Sequence, residues 1–197
     1  MTDMPKENTI DTALLGRETI EFLTVAKQFC TFVENSEGMQ RRLFVDTMLK
    51  LLPLLYVKTL MLGKAEHVDD ACPETFVTED SYEVIRLNIA SIMGELDDYL
   101  DVFMDDMVYS DKPILATISE NIADIYQDIR DTVFAFQLEY EDNMKEALAT
   151  CIDNFDYTWG QKLVNVMRAL HSTRHAVEED CHDENCNCHD HHQGLDY

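Results

Sequence analysis

Leu115, Ile118, Ile122, Ile125 and Ile129 follow one another at steps of three and four residues, so in a helix they form one seam. Leu148, Ile152, Phe155, Trp159, Leu163, Val166 and Leu170 keep the same rhythm through several further turns. A strand needs alternation by two, and neither stretch has it. Stripes of this length are buried by laying helices against helices. With only 6 glycines and 4 prolines in 197 residues, few breakers interrupt such helices. The expectation is an all-α, single-domain bundle, long enough to bury a core without disulfides or a structural metal.

About five main helices follow from the pattern. The first covers roughly 10–35, with Phe22, Ala26, Phe29 and Val33 on one face, and "NSEGMQ" ends it. The second covers roughly 39–63. Pro53 cannot donate to the carbonyl of Leu49, so a kinked central helix is expected. "GKAEHVDDACPETFV" reads as a loop, after which Thr78 or Asp80 caps a third helix with Ile85, Ile89, Ile92 and Leu96 on its core face. The fourth covers roughly 114–138 and the fifth roughly 143–175, with Gly160 a place for a bend. Residues 1–9 read as a flexible N-terminus, 10–177 as the bundle and 178–197 as a Cys/His/acid-rich tail. That tail has no core face and no lysine or arginine, so without a ligand it is expected to be disordered.

The most apolar run is "LFVDTMLKLLPLLYVKTLML", residues 43–62. Asp46, Lys50, Lys58 and Pro53 within it argue against a membrane span and for a buried helix. The N-terminal "MTDMPKENTIDTALL" has no charged-then-apolar signal pattern. A cytoplasmic protein is expected, with Cys30, Cys72 and Cys151 reduced and the first and last of them packed as small hydrophobes. Asp and Glu number 39 against 15 Lys plus Arg, a net charge of −24. Such a surface repels phosphate, which removes nucleic acid and anionic membranes as partners and leaves a basic protein surface or cations. Nothing in the sequence specifies a small-molecule ligand.

"WGQKLVNVMRALH" (Trp159–His171), "ENIADIYQDI" (Glu120–Ile129) and "LLPLLYVKTL" (Leu51–Leu60) resemble an uncharacterised bacterial all-helical family of similar length, of the domain-of-unknown-function class. The likeness spans most of residues 10–171, carried by the Trp-Gly and Arg-Ala-Leu-His pieces. It implies an all-helical single domain and supplies no activity. Thr158 stands where the family often has histidine before the tryptophan, and Lys162 replaces another histidine. The tail lies outside the resemblance.

Two acidic stripes are candidates for a cation or partner face. "LDDYLDVFMDD" would place Asp97, Asp101 and Asp105 on one helical stripe, and Glu120, Asp124 and Asp128 form a second, away from the Ile122/Ile125 seam. In water both would be solvated faces. Carboxylate-bridged di-metal bundles need two Glu-x-x-His pairs on core-facing helices, and Glu179/His182 is the one such spacing. Glu34/Glu37 and Glu95/Asp98 have the one-turn spacing of Mg²⁺-binding helical pyrophosphatases, a spacing common by chance in so acidic a chain.

His171 and His175 lie one turn apart near the end of the last helix. They suit the carbonyl end of its dipole, or form an accessory metal pair. In the tail, Cys181, Cys186 and Cys188 stand with His182, His189, His191 and His192, more donors than a tetrahedral ion needs. Thiolates and imidazoles suit Zn²⁺, Ni²⁺ or another transition metal. The Cys-x4-Cys-x-Cys spacing is not that of a zinc ribbon, and no metal is needed for folding. The sequence therefore reads first as a non-catalytic acidic helical adaptor or scaffold whose tail binds a transition metal. The alternatives are a metal-handling (buffering or delivery) protein and a cation-dependent helical-bundle hydrolase.

Overall fold

The computed structural model describes residues 14–101 and 114–179, with side chains described as far as residue 174. Among these residues the protein is an all-α bundle with one small two-stranded sheet.

Helix α1 (Arg17–Glu34) buries Phe22, Ala26, Phe29 and Val33, the face read from its periodicity. Helix α2 (Arg41–Leu60) runs on through Pro53 and buries Phe44, Val45, Met48, Leu52 and Leu55. Helix α3 (Glu79–Met93) begins at Thr78, whose hydroxyl accepts the Ser81 N–H at 3.2 Å while Ser81 Oγ accepts the Thr78 N–H at 2.9 Å. This reciprocal cap satisfies two donors that an uncapped helix start would leave over. Its buried face is Ile85, Ile89, Ile92 and Met93.

Gly94 then adopts φ 56°, a backbone that side chains with a Cβ resist, and the helix ends. A short 3₁₀ turn, Gly94–Leu96, leads into strand β1 (Asp98–Leu100). This strand pairs antiparallel with β2 (Leu115–Thr117), Tyr99 opposite Ala116. Leu115 is therefore a strand residue, 64% exposed, and not the first member of the helical seam.

Helix α4 (Ile118–Leu138) begins at Thr117, whose hydroxyl accepts the Glu120 N–H. Ile118, Ile122, Ile125 and Ile129 are all fully buried. Helix α4 packs against α1 and α3, against helix α5 (Glu141–Asn154) and against helix α6 (Gly160–Glu179).

The expected fifth helix is α5 and α6 joined by one turn of π-helix, Phe155–Trp159. This turn explains the Trp-Gly pair. Trp159 is fully buried and donates its indole N–H to the Cys151 carbonyl at 3.0 Å, with its ring edge-on to Phe155. At residue 160 a Cβ would collide with the Phe155 carbonyl oxygen and lie 2.9 Å from its ring, so glycine is required by close approach. Cys30 and Cys151 are buried free thiols. No helix among the described residues is long and apolar enough to cross a membrane.

Candidate functional site

The acidic residues singled out by their spacing separate into several structural settings. Asp97 and Asp101 do not share a helical stripe, because α3 has already ended at Met93. Asp97, 9% exposed, accepts the Ser119 N–H at 2.8 Å and the Ser119 hydroxyl at 2.6 Å. It thereby serves the open N-terminus of α4, where a carboxylate also complements the helix dipole. Asp101, 8% exposed, accepts from the Asn165 amide of α6. Both are internal acceptors, not a solvated face. Glu95 and Asp98 fall on the 3₁₀ turn and β1, so they do not form a one-turn helical pair. Asp105 lies outside the described residues.

The second stripe is also more than a water-facing edge. Glu120 is exposed. Asp124 accepts the Tyr82 hydroxyl of α3 at 2.7 Å and is ion-paired with Lys162 of α6. Asp128 accepts from the Asn154 amide of α5 at 2.7 Å. Asp131, which the periodicity did not single out, accepts the N–H groups of Phe76 and Val77 at 2.7 and 2.8 Å. Because α3, α5 and α6 pack beside this edge of α4, its carboxylates become ties between elements. Burial raises the carboxyl pKa of both Asp128 and Asp131, and burial followed by the bond to Asp124 raises that of the Tyr82 hydroxyl. Asp128, Asp131, Thr132, Cys151 and Asn154 border a pocket of about 300 Å³, in which burial pushes the Cys151 thiol up to about 12.

Lys162 and Thr158 both have local roles. Lys162 is the cation on Asp124, and the Thr158 hydroxyl donates to the Asn154 carbonyl at 2.7 Å inside the π turn. A third polar group comes from the loop before α3. His67 Nδ1 lies 3.0 Å from Glu146 Oε1, and its Nε2 lies 2.9 Å from Asp153 Oδ2. Ionised carboxylates only accept, so the protonated ring, with both nitrogens donating, is the form that satisfies both partners. Those bonds, Asp153 first and then Glu146, raise the His67 pKa. The adjacent Val68 N–H also donates to Glu146, at 2.9 Å.

Among the described residues, no three His, Cys, Asp or Glu side chains gather so as to hold a metal ion. The tail ligands Cys181, His182, Cys186, Cys188, His189, His191 and His192 lie outside the described residues. So does the side chain of His175, while His171 is exposed on α6.

A cleft of about 760 Å³ lies between α2 and α6. Leu49, Pro53 and Val57 form one wall and Val164 and Met167 the other. The helices run antiparallel. Arg174, late in α6, reaches Asp46, early in α2, at 3.1 Å, whereas Tyr56 meets Phe155 at the opposite end. Arg168, His171 and Arg174 also border the cleft along α6. Volume and apolar lining fall in the range of ligand and peptide clefts.

Residues 14–176 match the family described as Domain of unknown function (DUF5063). The chain belongs to that family. No curated protein matches it. The crystal structure of protein BF1032 from Bacteroides fragilis, a structural-genomics target, is 51% identical, with a TM-score of 0.74. The likeness covers 82% of this chain and 94% of that one. The DUF5063 match takes in α1 to α6 up to residue 176, including the α4 ties and the α2–α6 cleft, and it stops short of the cysteine-rich tail.

Proposed function

We propose that the protein is a non-catalytic adaptor or scaffold that docks a partner on its α2 side, and that its tail binds a transition metal as an accessory property. The observation that carries this reading is the apolar surface left along α2. Leu43, Leu54, Val57 and Leu60 are 56%, 48%, 50% and 59% exposed, four large apolar side chains on one helix, although Ile20, Val84 and Leu87 are also exposed on α1 and α3. Contiguous exposed apolar surface favours aggregation unless a partner covers it. The charge of −24 around it favours a partner with basic surface and disfavours nucleic acid and anionic membranes. A photo-crosslinking residue at position 60 is expected to give discrete adducts with a protein in cells, and the same probe at Glu120 is not. Equal labelling from both positions would remove the adaptor reading.

The hydrolase alternative is disfavoured by Lys162, which already supplies Asp124 with the positive charge a divalent ion would bring. A metal-supplemented phosphohydrolase screen on wild type and Asp128→Asn tests it. Metal handling rests on the tail's surplus of donors. Cys181, Cys186 and Cys188 replaced by Ser are expected to weaken Zn²⁺ binding far more than loss of any one of His182, His189, His191 or His192. Binding falls from about pH 7 to 5, because thiols and imidazoles must shed protons to coordinate. A triple serine variant that binds as tightly as wild type makes the site histidine-based and nickel-like. Capture of the partner by protein lacking residues 178–197 separates docking from metal handling.

A further inference from the structure

We infer that the segment from His67 to Val77 is a strap over the pocket between α4 and α5, latched and released by the protonation of His67. Residues 61–78 join α2 to α3 and are pinned to α5 and α4 on the way. One pin is on α5, where the His67 ring lies 3.0 Å from Glu146 and 2.9 Å from Asp153 and the Val68 N–H donates to Glu146. The other is on α4, where Asp131 accepts the Phe76 and Val77 N–H groups and the Arg130 guanidinium lies over the Phe76 ring. Between the pins, Pro73, Glu74 and Thr75 form one wall of the pocket of about 300 Å³. Asp128 and Thr132 of α4 and Thr150, Cys151 and Asn154 of α5 form the rest. The strap has no helix or strand of its own, and Asp70 within it sits at φ 63°, a left-handed backbone that a residue with a Cβ adopts at some cost. Such a segment opens at a lower free energy than the helices beneath it.

The two pins respond to pH in opposite ways. A charged imidazolium donates from both nitrogens, one bond to each carboxylate. A neutral ring keeps one N–H, so either Glu146 or Asp153 then faces a lone pair and that bond is lost. These two are the charged groups that α5 turns to the ring, and their bonds raise its pKa. Lys64, Glu66, Asp69 and Asp70 stand close to it on its own segment, whereas Asp128 and Asp131 of α4 border the pocket. The histidine latch is therefore complete below the ordinary value of about 6.5 and is lost as pH rises through the folded value. At the other pin, burial raises the Asp131 carboxyl pKa, so it is acid that weakens the bonds to Phe76 and Val77. The strap is tightest where the ring is charged and Asp131 is ionised, and on the alkaline side it opens from the His67 end. Opening there uncovers Cys151, a buried thiol that borders the pocket.

Cysteine footprinting of the full-length protein tests the latch. Brief alkylation with iodoacetamide at about pH 6 and about pH 8.5, on either side of a raised histidine pKa, is read cysteine by cysteine by peptide mass spectrometry. Exposed Cys72, on the strap itself, corrects for the intrinsic rise of thiol reactivity with pH. Buried Cys30, which does not border the pocket, reports global unfolding. In wild type the Cys151 rate relative to Cys72 is expected to rise about threefold between the two conditions, the scale of one exposed ion pair, with Cys30 unchanged. His67→Gln carries no charge at either pH, so its ratio is expected to be the same at both. Asp153→Asn, whose side chain does not border the pocket, sharpens the test. Its amide donates to the bare nitrogen of the neutral ring while the other nitrogen donates to Glu146, so the strap is expected to stay closed at the higher pH. A wild-type ratio that does not change with pH, or a rise that persists in His67→Gln, overturns the proposal. So do Cys30 labelling that rises in step, Cys151 as unreactive as Cys30 under both conditions, and an Asp153→Asn strap that opens at the higher pH.

Discussion

Helices α2 and α4 have nearly the same length, 20 and 21 residues, and the more apolar of the two is the less buried. Helix α4 carries Glu120, Asp124, Asp128 and Asp131, yet it lies against α1, α3, α5 and α6. Helix α2 carries the most apolar run of the chain, which its sequence alone would place at the centre. It packs mainly on α1 and α6 and turns Leu43, Leu54 and Leu60 to water. The second helix buries its inner face, Phe44, Val45, Met48, Leu52 and Leu55, but it is not buried all round. An acidic helix can occupy the centre when each carboxylate facing a neighbour finds a donor there, as Asp124 and Asp128 do. An apolar helix can sit at the edge, but its outward face is then surplus to folding. That surplus on α2 is the observation on which the docking proposal rests.

The comparison is broken most forcefully by truncating the two helices in parallel. Ile125→Ala in α4 removes a fully buried side chain and is expected to cost about 2–5 kcal/mol in urea unfolding. Leu163→Ala, equally buried in α6, belongs to the same class. Leu60→Ala in α2 is expected to change stability by no more than about 0.5 kcal/mol, the usual bound for a surface position. Equal losses at Ile125 and Leu60 would show that the α2 face is packed in solution, and the docking reading would lose its basis.

Asp97 gives the next largest effect, and it contrasts buried acids with exposed ones. Asp97→Ala strips the cap from Ser119 and leaves a donor at the start of α4 unsatisfied, an expected loss of about 1–2 kcal/mol. Glu120→Ala, a few residues on and exposed, is expected to be near neutral. Thermal unfolding of the two variants side by side decides whether the first acidic stripe is structural.

How far the sequence reached differs between the two levels. The seams of α1, α3, α4 and α6 were legible because a period near 3.6 reports a one-sided apolar environment directly. The end of α3 before residue 94 was not legible, since "LDDYLDVFMDD" keeps a helical rhythm while Gly94, at positive φ, ends α3. The carboxylate ties were hidden for another reason. Spacing places Asp124 and Asp128 on one edge of α4, but Tyr82, Asn154 and Lys162 come from three other helices. His67 carried no signal, because both its partners are about eighty residues away. The one retrievable hint was Lys162, a cation one turn from the buried Trp159 and Val166.

The second stripe can be split within itself. Asp124→Asn leaves Lys162 without its counter-ion and weakens the bond to Tyr82, an expected loss of about 1 kcal/mol, modest because both partners are partly exposed. Asp128→Asn removes a charge that burial already disfavours and is expected to be neutral or slightly stabilising at pH 7. The sign with pH follows. A carboxyl whose folded pKa is raised binds its proton more readily in the folded state, so Asp128 costs stability above that value and the cost fades on acidification. The gain from Asp128→Asn is thus expected near neutral pH and shrinks towards pH 4. Two equally neutral substitutions would return both residues to the solvated face of the sequence reading.

The smallest effect concerns the strap on α5, where His67 holds a loop instead of a helix face. Its ring donates to Glu146 and to Asp153, and both bonds favour the charged form in the folded state, so the folded pKa is raised. A raised histidine pKa contributes stability that is complete below the ordinary value of about 6.5 and is lost as pH rises through the folded value. His67→Gln is therefore expected to melt below wild type at pH 5.5 and to converge on it as pH rises past that folded value. The difference stays small because the ring is exposed, and added salt reduces it further. Hydrogen exchange at the Val68 amide, which also donates to Glu146, reports the same opening locally. A melting difference that grows with pH would mean the neutral ring makes the contact, and the imidazolium bridge between the two carboxylates would be wrong.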